Sequence, residues 1–128
     1  MEMRNILIVG LGGFIGSVLR YLIGGFIQGC FKSANFPWGT LGVNIAGCFL
    51  IGLLGGLSDS SSAFSSPIRL FIFLGVLGGF TTFSSFSYES LALLRDHETL
   101  LAFAYISGHL FLGIGAAFLG YGITTLKG

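Results

Sequence analysis

Gly75-Val-Leu-Gly-Gly-Phe-Thr-Thr-Phe-Ser-Ser-Phe-Ser-Tyr-Glu89 is the stretch that decides how this chain is read. It lies inside the third of several long apolar segments. Glycines at 75, 78 and 79 weaken a helix, each by about 1 kcal/mol relative to alanine. Behind them come Thr81, Thr82, Ser84, Ser85 and Ser87, interleaved with Phe80, Phe83 and Phe86. Glycines followed by hydroxyls and rings at bilayer depth predict a broken helix near Gly75–Thr82, with carbonyls freed to bind something. Irregular backbone at that depth is tolerated only where protein buries it or where it lines a cavity.

Working outward, the composition requires a membrane. Of the 128 residues, 53% are hydrophobic and 9% charged, and the mean hydropathy is +0.91. A soluble domain carries about a quarter charged residues to cover its surface. The chain therefore reads as an all-α integral membrane protein, in contact with membrane lipid. A net charge of +1 gives no basic patch of the kind nucleic acid requires, so nucleic acid is excluded as a partner. Two cysteines, Cys30 and Cys48, make neither a disulfide framework nor a metal site. The first apolar run is too long for a cleaved signal peptide, and none is expected.

Four apolar segments can be marked, Asn5–Ile27, Trp38–Leu57, Pro67–Leu94 and Thr99–Leu126. Each is near the roughly 20 residues that cross a hydrocarbon core. A polar connector, Gln28–Pro37, a Ser-rich loop, Ser58–Ser66, and a charged turn, Arg95–Glu98, join them into a single domain. Arg4, Arg69 and Lys127 fall on one side of the membrane, and Arg20, Lys32 and Arg95 on the other. This tie gives no orientation by the positive-inside rule. It fits insertion in both orientations as well as an accident of few charges.

Glycine is abundant, at 22 residues. Gly12/Gly16, Gly52/Gly56 and Gly75/Gly79 sit four apart, placing small residues on one helix face where helices approach closely. The packing they predict lies within one subunit or between two. An oligomer is expected, since four helices alone enclose little volume. The run Gly10-Leu-Gly-Gly13-Phe-Ile-Gly16 mimics a dinucleotide loop, but no acidic residue follows at the required distance and the apolar pattern continues. It reads as a packing face.

No Ser–His–Asp set, metal cluster or carboxylate pair can be assembled, so no enzyme is expected. The ionisable residues at membrane depth are Arg20, Glu89 and His109, and each marks a candidate site. Arg20 also suits snorkelling to the interface. His109 shares a helix face with Tyr105, four residues earlier. Asn44, two turns into the second span, offers neutral N–H donors. Such donors suit an anion that must bind weakly enough to leave, and they equally suit an interhelical hydrogen bond. Phe80, Phe83 and Phe86 recur every three residues. Their ring edges carry partial positive charge, so they line an anion path, with Thr82, Ser84 or Ser85 supplying hydroxyl donors, or they simply pack. A proton-coupled small multidrug transporter shares the four-span plan. It needs a carboxylate deep in the first span, where only Arg20 follows Arg4 among charged residues.

The run Gly78–Glu89 closely resembles the signature of the Fluc (CrcB-type) fluoride channels. Trp38-Gly-Thr-Leu, Val43-Asn44 and Gly47 resemble their second-helix motif, and Gly12-Gly-Phe-Ile-Gly16 with Arg20-Tyr21 resembles their first. The resemblance implies an antiparallel, dual-topology homodimer in the cell inner (plasma) membrane, conducting fluoride passively and lowering its intracellular level. It implies that Asn44, Phe83 and Phe86 line the fluoride pore, with Ser84, Ser85, Glu89 and Tyr105 on or near its polar side. His109 stands where some relatives carry a small hydroxyl residue. The resemblance also implies that Gly78 and Thr81 offer backbone carbonyls to a structural Na+ on the dimer axis. Arg20 matches the first-helix motif, in a structural or vestibular role.

Overall fold

The computed structural model describes residues 1–32 and 35–126. Lys127, counted above in the charge balance, lies outside the described residues. The chain forms helix α1 (Met3–Cys30), α2 (Trp38–Ser60), α3 (Ser66–Arg69), a π-helical stretch (Leu70–Leu77), α4 (Gly78–Phe80), α5 (Phe83–Arg95) and α6 (Thr99–Thr125). Among the described residues, four spans are long and apolar enough to cross a membrane: α1, α2, the composite Ser66–Arg95, and α6.

The spans pack as two close pairs, α1 against the first half of the third span and α2 along α6. Glycines set both seams. A Cβ placed on Gly12 would lie 2.5 Å from Phe71 O and 2.8 Å from the Gly75 Cα, and one on Gly79 2.6 Å from Gly13 O. Gly16 abuts the Val76 carbonyl in the same seam. Across the other, Gly52 meets the Ala117 carbonyl and Gly120 lies under Phe49 and Leu53. Backbone touches backbone at these crossings, so the glycine pairs Gly12/Gly16, Gly52/Gly56 and Gly75/Gly79 serve contacts within one subunit.

Helix α1 outlasts its apolar run. Gln28, expected in the connector, lies in the last turns of α1. Its Nε2 donates to Phe36 O at 3.1 Å and its Oε1 accepts from Gly39 N at 3.0 Å. The second bond satisfies an amide at the start of α2 that has no partner within the helix. A polar residue thus belongs to the helix because its side chain ties α1 to α2. Phe31 stacks on Trp38 beside it and Phe36 packs tilted against the same ring, each with centroids 4.5 Å away.

The tight turn between the third and fourth spans closes by two hydrogen bonds, Glu98 N to Leu93 O (2.8 Å) and His97 N to Leu94 O (3.1 Å). That pairing ends a helix through one left-handed residue, here His97 at φ 61°.

In the third span, Gly75, Gly78 and Gly79 are all helical. Gly75 and Gly79 thin the α1 seam instead of unwinding the backbone. Two residues after them are extended: Thr81 (φ −88°, ψ 151°) and Thr82 (φ −148°, ψ 116°).

Candidate functional site

Extended backbone inside a span leaves amides and carbonyls that need new partners. Thr82 finds one in Asn44, 38 residues away in sequence. Asn44 Oδ1 accepts from Thr82 N at 2.9 Å while Nδ2 donates to Thr82 O at 3.1 Å. Both residues are buried. Reciprocal bonds of this kind fix which end of the amide is oxygen and hold α2 to the third span. Of the two uses open for Asn44 from sequence, the interhelical bond is present in the structure.

Thr82 also starts α5. Its Oγ1 accepts from Ser85 N at 3.2 Å, a capping bond, and lies 3.2 Å from both the Ser84 and Ser85 hydroxyls. Within a continuous helix, Thr82 N would bond to Gly78 O and Ser85 N to Thr81 O. Those amides go instead to Asn44 and to the Thr82 side chain. The Gly78 and Thr81 carbonyls therefore lose their helical donors. A pair of carbonyl oxygens so released is a donor set that suits a hard cation such as Na+.

From Asn44 the polar contacts continue along α6. Asn44 Nδ2 lies 3.1 Å from His109 Nε2, and His109 Nδ1 lies 3.0 Å from Tyr105 O. The fully buried Tyr105 donates its hydroxyl to Glu89 Oε2 at 2.5 Å. The other carboxylate oxygen of Glu89 accepts from Thr40 Oγ1 at 2.9 Å. Phe86 is the apolar wall of this chain of bonds, with ring centroids 4.4 Å from His109, 5.7 Å from Tyr105 and 5.4 Å from Phe83. Phe83 itself is 79% exposed, so its ring is not part of this subunit's core.

Two cavities abut the ends of the track. A larger one, about 610 Å³, is bordered by Asn44, Gly78, Thr81, Thr82, Phe83 and His109 among others. A smaller one, about 260 Å³, reaches Glu89 from a rim carrying Asn35, Asp96 and Glu98.

The structure thus gathers Asn44, Ser84, Ser85, Phe83, Phe86, Glu89, Tyr105 and His109 into one connected region, with Gly78 and Thr81 on the wall of the larger cavity. Arg20 is not brought there, since no residue of α1 lines either cavity. Thr40 is a member to which the sequence reading gave no role, and Thr82, expected there as a hydroxyl donor, is also held through its backbone by Asn44. Thr40 stands four residues before Asn44 and so shares its helix face, a spacing that was available. Nothing local in the sequence links Thr82 to Asn44.

A helical protein crossing the membrane four times, with a polar track buried between its spans and neutral donors at its centre, is a multi-pass membrane protein of the transport class. The family model described as CrcB-like protein, Camphor Resistance (CrcB), matches residues 7–121. Over 119 residues, 93% of this chain and 94% of the relative, the chain is 56% identical to a fluoride-specific ion channel FluC of Thermus thermophilus. It is 45% identical over 121 residues to a protein of the same name from Chlorobium phaeobacteroides, covering 94% of this chain and 93% of that one. The fluoride-specific ion channel FluC 3 of Methanosarcina barkeri is 44% identical over 118 residues, 92% of this chain and 88% of the relative. The chain belongs to the CrcB family.

Proposed function

We propose that the chain is a fluoride channel, carrying the ion passively along the track between the two cavities. The observation that supports this best is the set of neutral donors at the start of α5. Fluoride is small and tightly hydrated, so a pore must offer hydrogen-bond donors in place of water without a fixed charge that traps the ion. Thr82, Ser84 and Ser85 gather hydroxyls there, beside the Asn44 amide. The N-terminus of α5, a 13-residue helix, adds partial positive charge at the same place. Phe83 and Phe86 present polarised ring edges to an anion. His109, Tyr105 and Glu89 continue the path toward the smaller cavity, and Arg20 is assigned to supporting α1.

The functional unit in this reading is an antiparallel, dual-topology homodimer in the cell membrane. Polar groups at bilayer depth cannot face lipid, and the larger cavity places Asn44, Thr82 and His109 beside the exposed Phe83. A second copy covering that face would exclude lipid from them. The Gly78 and Thr81 carbonyls would hold a structural Na+ where the copies meet, and such an ion would supply fixed positive potential next to the anion path. In this reading the interruption of the third span at Thr81–Thr82 is what releases those carbonyls.

Fluoride efflux from liposomes containing the purified protein, followed with a fluoride electrode, tests the reading. Efflux well above that of empty vesicles is expected. Flux no faster than the empty-vesicle leak would refute conduction, and proton-coupled uptake of organic cations would favour a small multidrug transporter instead.

A further inference from the structure

The Asn44 amide has no hydrogen to spare in this structure. Oδ1 and one N–H are held by Thr82, and the second N–H meets His109 Nε2 at 3.1 Å. The other ring nitrogen of His109 lies 3.0 Å from Tyr105 O, a carbonyl that can only accept. Nδ1 therefore carries the proton and Nε2 is the acceptor. One neutral tautomer satisfies every bond, and an anion arriving at Asn44 finds the donor already taken.

We propose that His109 is a positioning residue that sets whether the outer N–H of Asn44 is available to fluoride. The inference rests on the fluoride-conduction reading and deepens it. While Nε2 is unprotonated it competes with the ion for that hydrogen. When Nε2 takes a proton from water, the acceptor becomes an N–H, and two donors face one gap. Two facing donors repel each other unless an acceptor sits between them. The same spot is then a two-donor anion site beside the Phe86 ring, whose centroid is 4.4 Å from that of His109; its positive charge leaves again with the proton, so it is not a fixed charge that would trap the ion. Thr82 keeps the Asn44 amide from turning away, so the change at His109 falls on the one N–H that is not anchored.

The titratable groups around His109 are few. Tyr105 lies against it on its own helix, with ring centroids 4.5 Å apart. Cys48 of α2 borders the same cavity. The Glu89 carboxylate of α5 is reached through the Tyr105 hydroxyl. No residue of α1 lines that cavity, and the Asn44 and Phe86 groups against the ring carry no charge.

The test compares wild type with His109→Gln, whose amide oxygen can still accept from Asn44 but takes no proton in this range. Fluoride efflux is measured from about pH 8 down to about pH 4.5, wide enough to include protonation of a buried imidazole, with the leak of empty vesicles subtracted at each pH. Wild-type flux at the acidic end should exceed that at the basic end by about twofold or more. His109→Gln should give a flat profile. Equal slopes in the two proteins would overturn the proposal. In parallel, the side-chain amide signals of Asn44 in nitrogen-labelled wild type should move with the same midpoint as the His109 ring. Stationary Asn44 signals through the His109 titration would overturn it too, whether or not His109→Gln assembles. Absence of wild-type flux at every pH would refute conduction itself, while the amide signals would still decide the His109–Asn44 linkage.

Discussion

Replacing Asn44 with alanine removes both anchors of Thr82 at once. The Thr82 N–H loses its 2.9 Å bond and the Thr82 carbonyl its 3.1 Å bond, at a residue only 9% exposed. A buried backbone group left without a partner costs about 1–3 kcal/mol, so Asn44→Ala should destabilise the fold by about 2–6 kcal/mol. Asn44→Asp separates the two contributions. It keeps an oxygen for the Thr82 N–H but sets a second oxygen against the Thr82 carbonyl, so the loss of the donor bond is joined by repulsion. The direct readout is hydrogen exchange at the Thr82 amide in detergent or lipid discs. Each loss of about 1.4 kcal/mol in protection is about tenfold in rate. Asn44→Ala should therefore raise Thr82 exchange by about tenfold or more, while Asn44→Asp leaves that amide better protected than alanine does. Thr82 exchange that is unchanged in Asn44→Ala would refute the anchoring role. It would mean that the extended residues are held by something other than the Asn44 amide.

Gly16→Ala should lower the thermal unfolding midpoint in detergent, because the new Cβ meets the Val76 carbonyl and lies 2.8 Å from Phe80 N; overpacking of this kind costs about 1–3 kcal/mol. Gly10→Ala on the same helix meets nothing within 4 Å and should be neutral or mildly stabilising, so equal effects from the two would contradict the seam. His97→Gly relieves a side chain held at φ 61° and should stabilise the protein by about 1 kcal/mol, seen as a higher unfolding midpoint. Phe83→Ile and Phe86→Ile should each sharply reduce fluoride flux in liposomes without shifting the protein's elution in size-exclusion chromatography; unchanged flux would return both rings to a packing role.

The spans were legible because length and hydropathy act over some twenty residues and tolerate local exceptions. Their ends were less so. Gln28 looks like connector by polarity, yet it is helical because its side chain bonds Phe36 and Gly39 on the far side of the turn. Glycine spacing identified faces that approach closely, but not which helix lies opposite. Gly12 and Gly75 meet each other, while Gly52 meets Ala117 on α6, and neither pairing follows from a four-residue interval. The same limit governed the site. The glycines and the hydroxyls behind them pointed to Gly75–Thr82 for an irregular backbone, and within that range the glycines stay helical. The residues that leave the helix are Thr81 and Thr82, and Thr82 is held there by Asn44 from another span. The Asn44 amide was recognisable as a buried polar group. Its engagement with both Thr82 and His109 depends on how three spans come together, which no local pattern records.

Fluoride-selective conduction is tested most directly by measuring fluoride and chloride release from the same liposomes, with one electrode for each ion. A track of neutral hydroxyl and amide donors that replace the water of a small, strongly hydrated anion predicts rapid fluoride release with chloride retained at the level of empty vesicles. Equal release of both ions, or release of neither, would contradict it.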